Sequence, residues 1–162
     1  MREKGLNLRL MSAVGFVRQG AVFADIGTDH AYLPIFLLKV GRVSRVFCSD
    51  INEGPLSKAR ENARENGLEQ KITFTLSNGA QLLPHGVITD YAICGMGGEL
   101  IATIIDEARA AGYTIDTVFF EASDEVLVNR YKESRRMHPL QSEECVRVED
   151  GIDREREILR QM

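Results

Sequence analysis

The sequence is poor in the residues that build disulfide frameworks, zinc sites and transmembrane helices. It has no tryptophan and only four prolines and three cysteines among 162 residues. The cysteines, Cys48, Cys94 and Cys145, show neither pairing nor the spacing of metal ligands, so we expect no metal site and a reducing compartment, the cytoplasm. The longest apolar runs, 21–24 and 91–94, fall far short of the roughly 20 residues that a membrane span needs. Arg18 also interrupts any apolar secretion signal, and we expect no membrane contact.

An excess of positive charge is also missing. Twenty Lys and Arg residues stand against 24 Asp and Glu residues, a net charge of −4. A protein that binds nucleic acid by itself usually carries a basic excess, so only a local basic patch stays open for such a role.

The chain does contain a regular alternation of short apolar runs and helical patterns, with 44% hydrophobic residues overall. An amphipathic helix with Leu10, Val14 and Val17 on one face comes first and ends at Gly20. Strands are predicted at 21–26, 45–49, 71–76, 91–94 (buried) and 117–121. Helices are predicted at 32–39, 53–66, 99–111, from 125 to about 136, and from about 150 to 160, with a break at His138–Pro139. This alternation predicts an α/β fold with a mostly parallel, doubly wound sheet and a helical C-terminal tail.

The turn after the first predicted strand carries acidic residues and a single glycine. Asp25, Gly27, Asp29 and His30 lie in this turn, where a dinucleotide-binding fingerprint would have three glycines. A ligand without a pyrophosphate does not need that close backbone approach, and carboxylates suit an ammonium or sulfonium group. The turn therefore favours a nucleoside with an amino-acid tail, such as S-adenosylmethionine, over NAD.

Three further strand ends carry candidate ligand-binding residues. Asp50, followed by Ile51, lies 23 positions beyond Gly27, about where a carboxylate accepts hydrogen bonds from ribose hydroxyls. Asn78 and Gly79 follow the third strand and are placed to border an adenine ring. The fourth strand is followed by the glycine-rich loop Gly95, Met96, Gly97 and Gly98, whose following helix offers free N–H groups to a carboxylate or an oxygen-rich substrate.

Each feature also has a purely structural interpretation. Asp29 and His30 can simply cap the helix at Tyr32, because Asp is a favoured N-cap residue. His85 and His138 lack a partner at metal-ligand spacing, which indicates loop residues. Cys48 and Cys94 suit a strand core, and Gly97–Gly98 suits a tight turn.

Four segments carry a family resemblance: DIGTDHAYLP from Asp25 to Pro34, DINEGPL from Asp50, Asn78–Gly79, and GMGGELI from Gly95. Together they closely resemble the bacterial TrmK family of tRNA (adenine-22-N1)-methyltransferases over about residues 6–105. The resemblance implies a Rossmann-like class I S-adenosylmethionine-dependent methyltransferase fold that methylates N1 of an adenine in tRNA. Asp25, Gly27 and Asp29 would surround the methionine part of the cofactor, Asp50 the ribose and Asn78 the adenine. The other expected cofactor-binding residues are His30, Ile51 and Gly79. The Gly95–Gly98 loop would face the methyl group and the target base. Asp29 is the catalytic candidate, and Asp25 is the alternative.

The tail departs from that family, so the methyltransferase sheet is predicted to be truncated. Two segments of the tail carry a second resemblance, FFEASDEVLVNRYKESRRMHPL from Phe119 and GIDREREIL from Gly151. They resemble a segment of the RapZ/YvcJ P-loop nucleotide-binding family. That family's phosphate loop is missing from this sequence. The expected domains are therefore 1–107, which binds S-adenosylmethionine, and 108–162, a strand with charged helices. We hypothesise that two unrelated coding pieces join near residues 102–110. The cluster of Arg130, Arg135 and Arg136 can contact phosphate or form a solvated charged face.

Two alternatives to an active tRNA methyltransferase stay open. In the first, the chain is an inactive fusion that retains only cofactor binding, because the domain that helps TrmK proteins to grip tRNA is replaced. In the second, it is a RapZ-like nucleotide-binding adapter fragment. A homodimer that covers an exposed sheet edge is possible under any of these readings.

Overall fold

The computed structural model describes residues 8–84, 86–94, 96–134 and 147–161. The chain divides into two compact units, Met1–Gly95 and Met96–Met162. The helix Gly98–Ala110 therefore belongs to the second unit, whereas most of it was expected in the first domain. The boundary at residue 107 concerns which family each part resembles, and it stays a prediction.

The first unit is built around a parallel four-stranded sheet. Its strands are β1 (Ala21–Ile26), β2 (Val43–Asp50), β3 (Ile72–Leu76) and β4 (Asp90–Ile93), and its helices are α1 (Leu8–Val14), α2 (Tyr32–Lys39) and α3 (Glu53–Glu65), with a 3₁₀ turn at Glu69–Lys71. The strand order is β3-β2-β1-β4, and all three pairings are parallel. Since the order reverses beside β1, the switch point of this Rossmann-like sheet lies between β1 and β4. The predicted fold class is confirmed.

The core lies around the two central strands. Phe23 on β1 and Val46 on β2 are fully buried, as is Leu37 on α2. β1 is buried along nearly its whole length, which is typical of a parallel strand covered on both faces. The edge strand β4 is less buried, and Tyr91 is 46% exposed, so the prediction of a buried strand at 91–94 is wrong in its burial and shifted by one residue.

Glycines with a left-handed backbone end the elements of this unit where the sequence indicates a stop. Gly67 has φ +67° and follows α3, and its N–H donates to the carbonyl of Arg64 (3.0 Å). The first helix is the exception. It ends at Val14 rather than at Gly20, while Val17 is still buried because the chain turns back toward β1.

Among the described residues, the second unit contains three helices, α4 (Gly98–Ala110), α5 (Asp124–Ser134) and α6 (Val148–Arg160). Helix α6 packs against α4 and α5, and it buries Ile152 and Leu159. The break predicted at His138–Pro139 lies outside the described residues.

The predicted strand at 117–121 is wrong. Residues 113–121 form neither helix nor strand, and Val118, Phe119 and Phe120 are 41–53% exposed. A strand requires a neighbouring strand for its backbone hydrogen bonds, and the sheet of the described residues belongs to the other unit. Among the described residues, every helix is also too short or too polar to cross a lipid bilayer.

Candidate functional site

The turn after β1 is fixed to the end of β2. The backbone N–H groups of Gly27 and Thr28 both donate to the carbonyl of Ser49 (2.8 and 3.0 Å). Gly27 has φ +76°, a conformation that a side chain would strain. The first of the predicted glycines is thus required by the geometry of the turn itself.

Asp25 is the buried carboxylate of the site. It is 8% exposed at the end of β1, and the Thr28 hydroxyl donates to its Oδ2 (2.5 Å). Burial raises the pKa of Asp25 to about 6, and the hydrogen bond from Thr28 partly opposes that rise. At neutral pH this carboxyl group is therefore mostly ionised.

Cys48 lies opposite Asp25 in the pairing of β1 with β2. Burial raises the pKa of the Cys48 thiol well above its ordinary value, and the nearby Asp25 charge adds to the rise. The thiol therefore stays neutral at physiological pH, as expected for a small core residue rather than a nucleophile.

Asp29 and His30 precede α2 without capping it. The N-cap position of α2 is occupied by Ala31, and no side chain caps the helix. The interpretation of Asp29 as an N-cap residue is therefore wrong. The Asp29 side chain is 67% exposed and lies 3.5 Å from Nε2 of His30, whose ring stacks on Tyr32 at 5.1 Å between centroids.

The backbone beside these residues is held in an unusual conformation. Ala31 has φ +53°, in the left-handed region that residues with a side chain rarely adopt. Asn62 of α3 stabilises the segment, because its Nδ2 donates to the carbonyl of His30 (2.7 Å). Such strain is common at ligand-binding turns.

Asp50 is the last residue of β2, and Ile51 follows it. Asp50 is half-buried and its Oδ1 accepts the backbone N–H of Asn52 (2.7 Å), while its carbonyl accepts the N–H of Ser77 (2.9 Å). The next residue, Ile51, exposes 65% of its surface. A carboxylate and an apolar side chain therefore stand together at this strand end.

Asn78 and Gly79 complete the group of strand ends in the first unit. Gly79 has φ +57°, and its carbonyl accepts a hydrogen bond from the Ser49 hydroxyl (2.9 Å). Asn78 is exposed. Ser49 thus connects the turn after β1 with the turn after β3, and the predicted residues of three strand ends lie at one edge of the sheet.

The glycine-rich loop belongs to the second unit. Gly95 lies outside the described residues, Met96 and Gly97 are half-buried, and Gly98 begins α4. The Gly98 N–H donates to Oε1 of Glu155 on α6 (2.5 Å), so a carboxylate of this chain occupies the position predicted for a substrate group.

Several predicted residues cannot be placed. His85, His138, Cys145, Arg135 and Arg136 lie outside the described residues, and of Arg130 the structure describes only the position on α5. Within the described part of the chain, no group of three His, Cys, Asp or Glu side chains is suited to hold a metal ion.

Four supporting residues were missed by the sequence analysis, namely Thr28, Ser49, Asn62 and Ser77. All four hold turns at the ends of the strands through hydrogen bonds. Asn62 offered a weak signal, because it is a polar residue between Ala59 and Ala63 on the buried face of α3. Thr28, Ser49 and Ser77 gave no such signal, because serine and threonine are common both in strands and in the turns that follow them.

The fold and the strand ends define a Rossmann-like protein with a site for a nucleoside-type ligand. The chain belongs to the methyltransferase-domain family, whose model matches residues 6–152. It is 34% identical over 109 residues to the tRNA (adenine(22)-N(1))-methyltransferase of Bacillus subtilis, an alignment that covers 67% of this chain and 46% of the relative.

The solved structure of the tRNA methyltransferase TrmK from B. subtilis shows the same similarity. It is 33% identical with a TM-score of 0.63, over 67% of this chain and 46% of that one. The present chain thus spans about half the length of the methyltransferases that it matches.

The second resemblance is confirmed as well. A nucleotide-binding protein of Lachnoclostridium phytofermentans is 46% identical over 66 residues, which make up 41% of this chain and 22% of the relative.

Proposed function

We propose that this chain binds S-adenosylmethionine at the strand ends of its first unit and methylates N1 of an adenine in tRNA. The observation that supports this most is the convergence of Asp25, Asp29, Asp50 and Asn78 at the carboxyl ends of β1, β2 and β3. In doubly wound sheets, ligands bind at this edge. The named activity of the B. subtilis relative supplies the substrate.

The residues of this edge suit the three parts of the cofactor. Asp25 and Asp29 offer carboxylates to the ammonium group, and the ionised form of buried Asp25 gains most from such a partner. Asp50 has one carboxylate oxygen bonded to Asn52, which orients the group toward ribose hydroxyls. Ile51 and Asn78 are exposed beside it, as packing and hydrogen bonding with an adenine ring would require.

When bound, S-adenosylmethionine supplies an electrophilic methyl group. The N1 atom of neutral adenine is already a nucleophile, so no residue of this chain has to remove a proton before attack. The target base must leave its stack to reach the methyl group, at a cost of a few kcal/mol. The protein acts mainly by positioning the two reactants.

Asp29 is the catalytic candidate, because methylation leaves a positive charge on the adenine ring. Its side chain is exposed, and His30 lies beside it at 3.5 Å. A carboxylate at this position stabilises the developing cation by electrostatic attraction. Asp25 is buried and better suited to hold the cofactor.

The reaction is tested with the purified chain, labelled S-adenosylmethionine and a tRNA transcript that carries adenine at position 22. We expect label in the wild-type transcript as 1-methyladenosine, identified by mass spectrometry after digestion. A transcript with guanine at position 22 is the matched control and should stay unlabelled. Equal label in both transcripts would overturn the proposed substrate, and label in neither would overturn the activity.

The role of Asp29 is tested with Asp29→Asn, which keeps the size of the side chain and removes its charge. We expect turnover to fall roughly 10- to 100-fold, with cofactor affinity changed far less. An equal loss of turnover and affinity would assign Asp29 to cofactor binding instead.

One alternative has support of its own. A protein that binds the cofactor without acting on RNA fits the net charge of −4, since contacts with phosphate supply much of the affinity for nucleic acid. Saturable cofactor binding without retention of tRNA on a filter would favour it.

The cytoplasmic location and a homodimer remain part of our proposal, and size-exclusion chromatography with light scattering tests the dimer.

A further inference from the structure

Helix α6 presents one face to the rest of the second unit. This face is formed by residues three or four positions apart, namely Ile152, Glu155, Arg156 and Leu159. Ile152 and Leu159 are 2% and 8% exposed, so this is the packed face of the helix. The charged pair in its middle therefore has a fixed position.

Glu155 contacts the first residue of α4 closely. Its Oε1 accepts the Gly98 N–H at 2.5 Å, and a Cβ atom added to Gly98 would lie 2.6 Å from its Cγ. A side chain at position 98 would therefore displace the side chain of Glu155. The carboxylate also lies at the positive end of the α4 dipole, where negative charge is favourable.

Arg156 fixes the helix that carries Glu155. It forms ion pairs with Glu121 and Asp124, and with Asp153 at 3.5 Å, and its Nη2 donates to the carbonyl of Ala122 (3.0 Å). Its side chain is only 14% exposed. These bonds attach α6 to the segment between α4 and α5, so that Glu155 cannot easily leave Gly98.

We propose that Glu155 is a positioning residue for the loop Met96–Gly98, acting through its bond to the Gly98 N–H. The proposal rests on the proposed function and on the family resemblance, which implies that this loop faces the target base. The tail, which resembles another family, thereby sets the geometry of a methyltransferase loop. A misplaced loop lowers the rate of methyl transfer because the reactants are no longer aligned. Cofactor affinity is unaffected, since the residues proposed to hold the cofactor lie in the first unit.

The contact itself is tested by amide hydrogen exchange, followed by NMR. Glu155→Ala should speed exchange of the Gly98 amide roughly tenfold or more, because it removes a charge-assisted hydrogen bond. Glu155→Gln keeps an acceptor oxygen and should restore most of the protection. Glu157→Ala removes an exposed glutamate of the same helix and should leave the Gly98 amide unchanged. Unchanged exchange in Glu155→Ala would overturn the contact.

The positioning role is tested with the same variants in the methylation and cofactor-binding assays. We expect Glu155→Ala to lower kcat roughly tenfold, with the Kd for S-adenosylhomocysteine within about twofold of wild type, and Glu155→Gln to recover most of the rate. Faster exchange with an unchanged kcat would overturn the positioning role. If neither wild type nor Glu157→Ala transfers a methyl group, the proposed function itself is overturned. That result differs from a loss of activity that is confined to Glu155→Ala.

Discussion

The two units of this chain are stabilised in different ways. In the first, β1 and β2 are buried among apolar side chains, and the core includes Phe23, Leu37 and Val46 at 0% exposure. In the second, three helices share a few buried apolar residues, and a single arginine, Arg156, pairs with three acidic side chains. The apolar residues Val118, Phe119 and Phe120 stay largely exposed there.

This difference indicates which unit tolerates change. A unit that depends on apolar packing loses stability when a core side chain is shortened, whereas one that depends on ion pairs responds to charge and salt. The candidate cofactor site lies in the packed unit, and the loop residues Met96–Gly98 begin the other. We expect binding to be more robust to mutation than transfer.

The largest effect should come from shortening a core aromatic residue. Phe23→Ala should lower the free energy of unfolding by about 3–5 kcal/mol, because it leaves a cavity beside the central strand. Phe119→Ala, at a site that is 47% exposed, should change it by less than about 0.5 kcal/mol. Urea unfolding followed by circular dichroism measures both. Similar losses in the two variants would contradict the proposed difference in packing.

The next largest effect should be the pH dependence contributed by Asp25. Its pKa is about 6 in the folded protein against an ordinary 3.8, so the folded state holds the proton more tightly than the unfolded state. The stability from this group is therefore full below about pH 4 and is lost as the pH rises through 6, by about 3 kcal/mol at most.

Asp25→Asn should abolish this part of the pH dependence in urea unfolding measured between pH 4 and 7.5. Cofactor affinity should show the opposite trend in the wild-type protein and fall below pH 6, because the ammonium group requires the ionised carboxylate. If the free energy of unfolding changes between pH 4 and 6 by the same amount in wild type and in Asp25→Asn, this role for Asp25 is excluded.

A smaller effect should follow from removing the central arginine of the second unit. Arg156→Ala leaves several acidic groups without their partner and should cost about 2 kcal/mol. Arg147→Ala is the control, because Arg147 also pairs with a carboxylate, that of Asp150, but its side chain is 75% exposed. That variant should cost less than about 1 kcal/mol. Hydrogen exchange of α6 amides would show whether the loss is confined to the second unit.

The smallest effect should come from the glycines that end one helix in each unit. Gly67 follows α3 and Gly112 follows α4, with φ +67° and +90° and open space around both. Alanine at either position should cost about 1 kcal/mol through backbone strain. If the units unfold separately, Gly67→Ala speeds exchange in the first and Gly112→Ala in the second. If each variant instead speeds hydrogen exchange equally in both units, the two units unfold together.

The fold of the first unit could be predicted from the sequence almost to the residue. The central strand β1 is buried on both faces and reads as an apolar run, and Gly67 marks the end of a helix in sequence as it does in structure. The limits of α2 at Tyr32–Lys39 agree with the predicted ones. Here local pattern and tertiary packing favour the same structure.

The strand predicted at 117–121 shows where such reasoning fails. Val118, Phe119 and Phe120 have strong strand propensity, but a strand also requires a neighbour to accept its hydrogen bonds, and propensity carries no information about that neighbour. The Glu155–Gly98 bond joins residues 57 positions apart, so no local pattern reveals it. The site residues could be predicted because they lie at the ends of strands or just after them. The residues that hold them could not, because Ser49 and Asn62 act through distant backbone groups.

The central claim is that the strand ends of the first unit form a working cofactor site. It is tested most directly by calorimetric titration of the purified chain with S-adenosylhomocysteine, for the wild type and for Asp50→Asn and Glu61→Gln. Asp50→Asn keeps an acceptor for the Asn52 N–H while losing the charge offered to ribose, and Glu61 is an exposed acid on α3. We predict saturable binding by wild type and Glu61→Gln, weakened at least about tenfold in Asp50→Asn. A folded wild-type chain that shows no saturable binding would contradict the account.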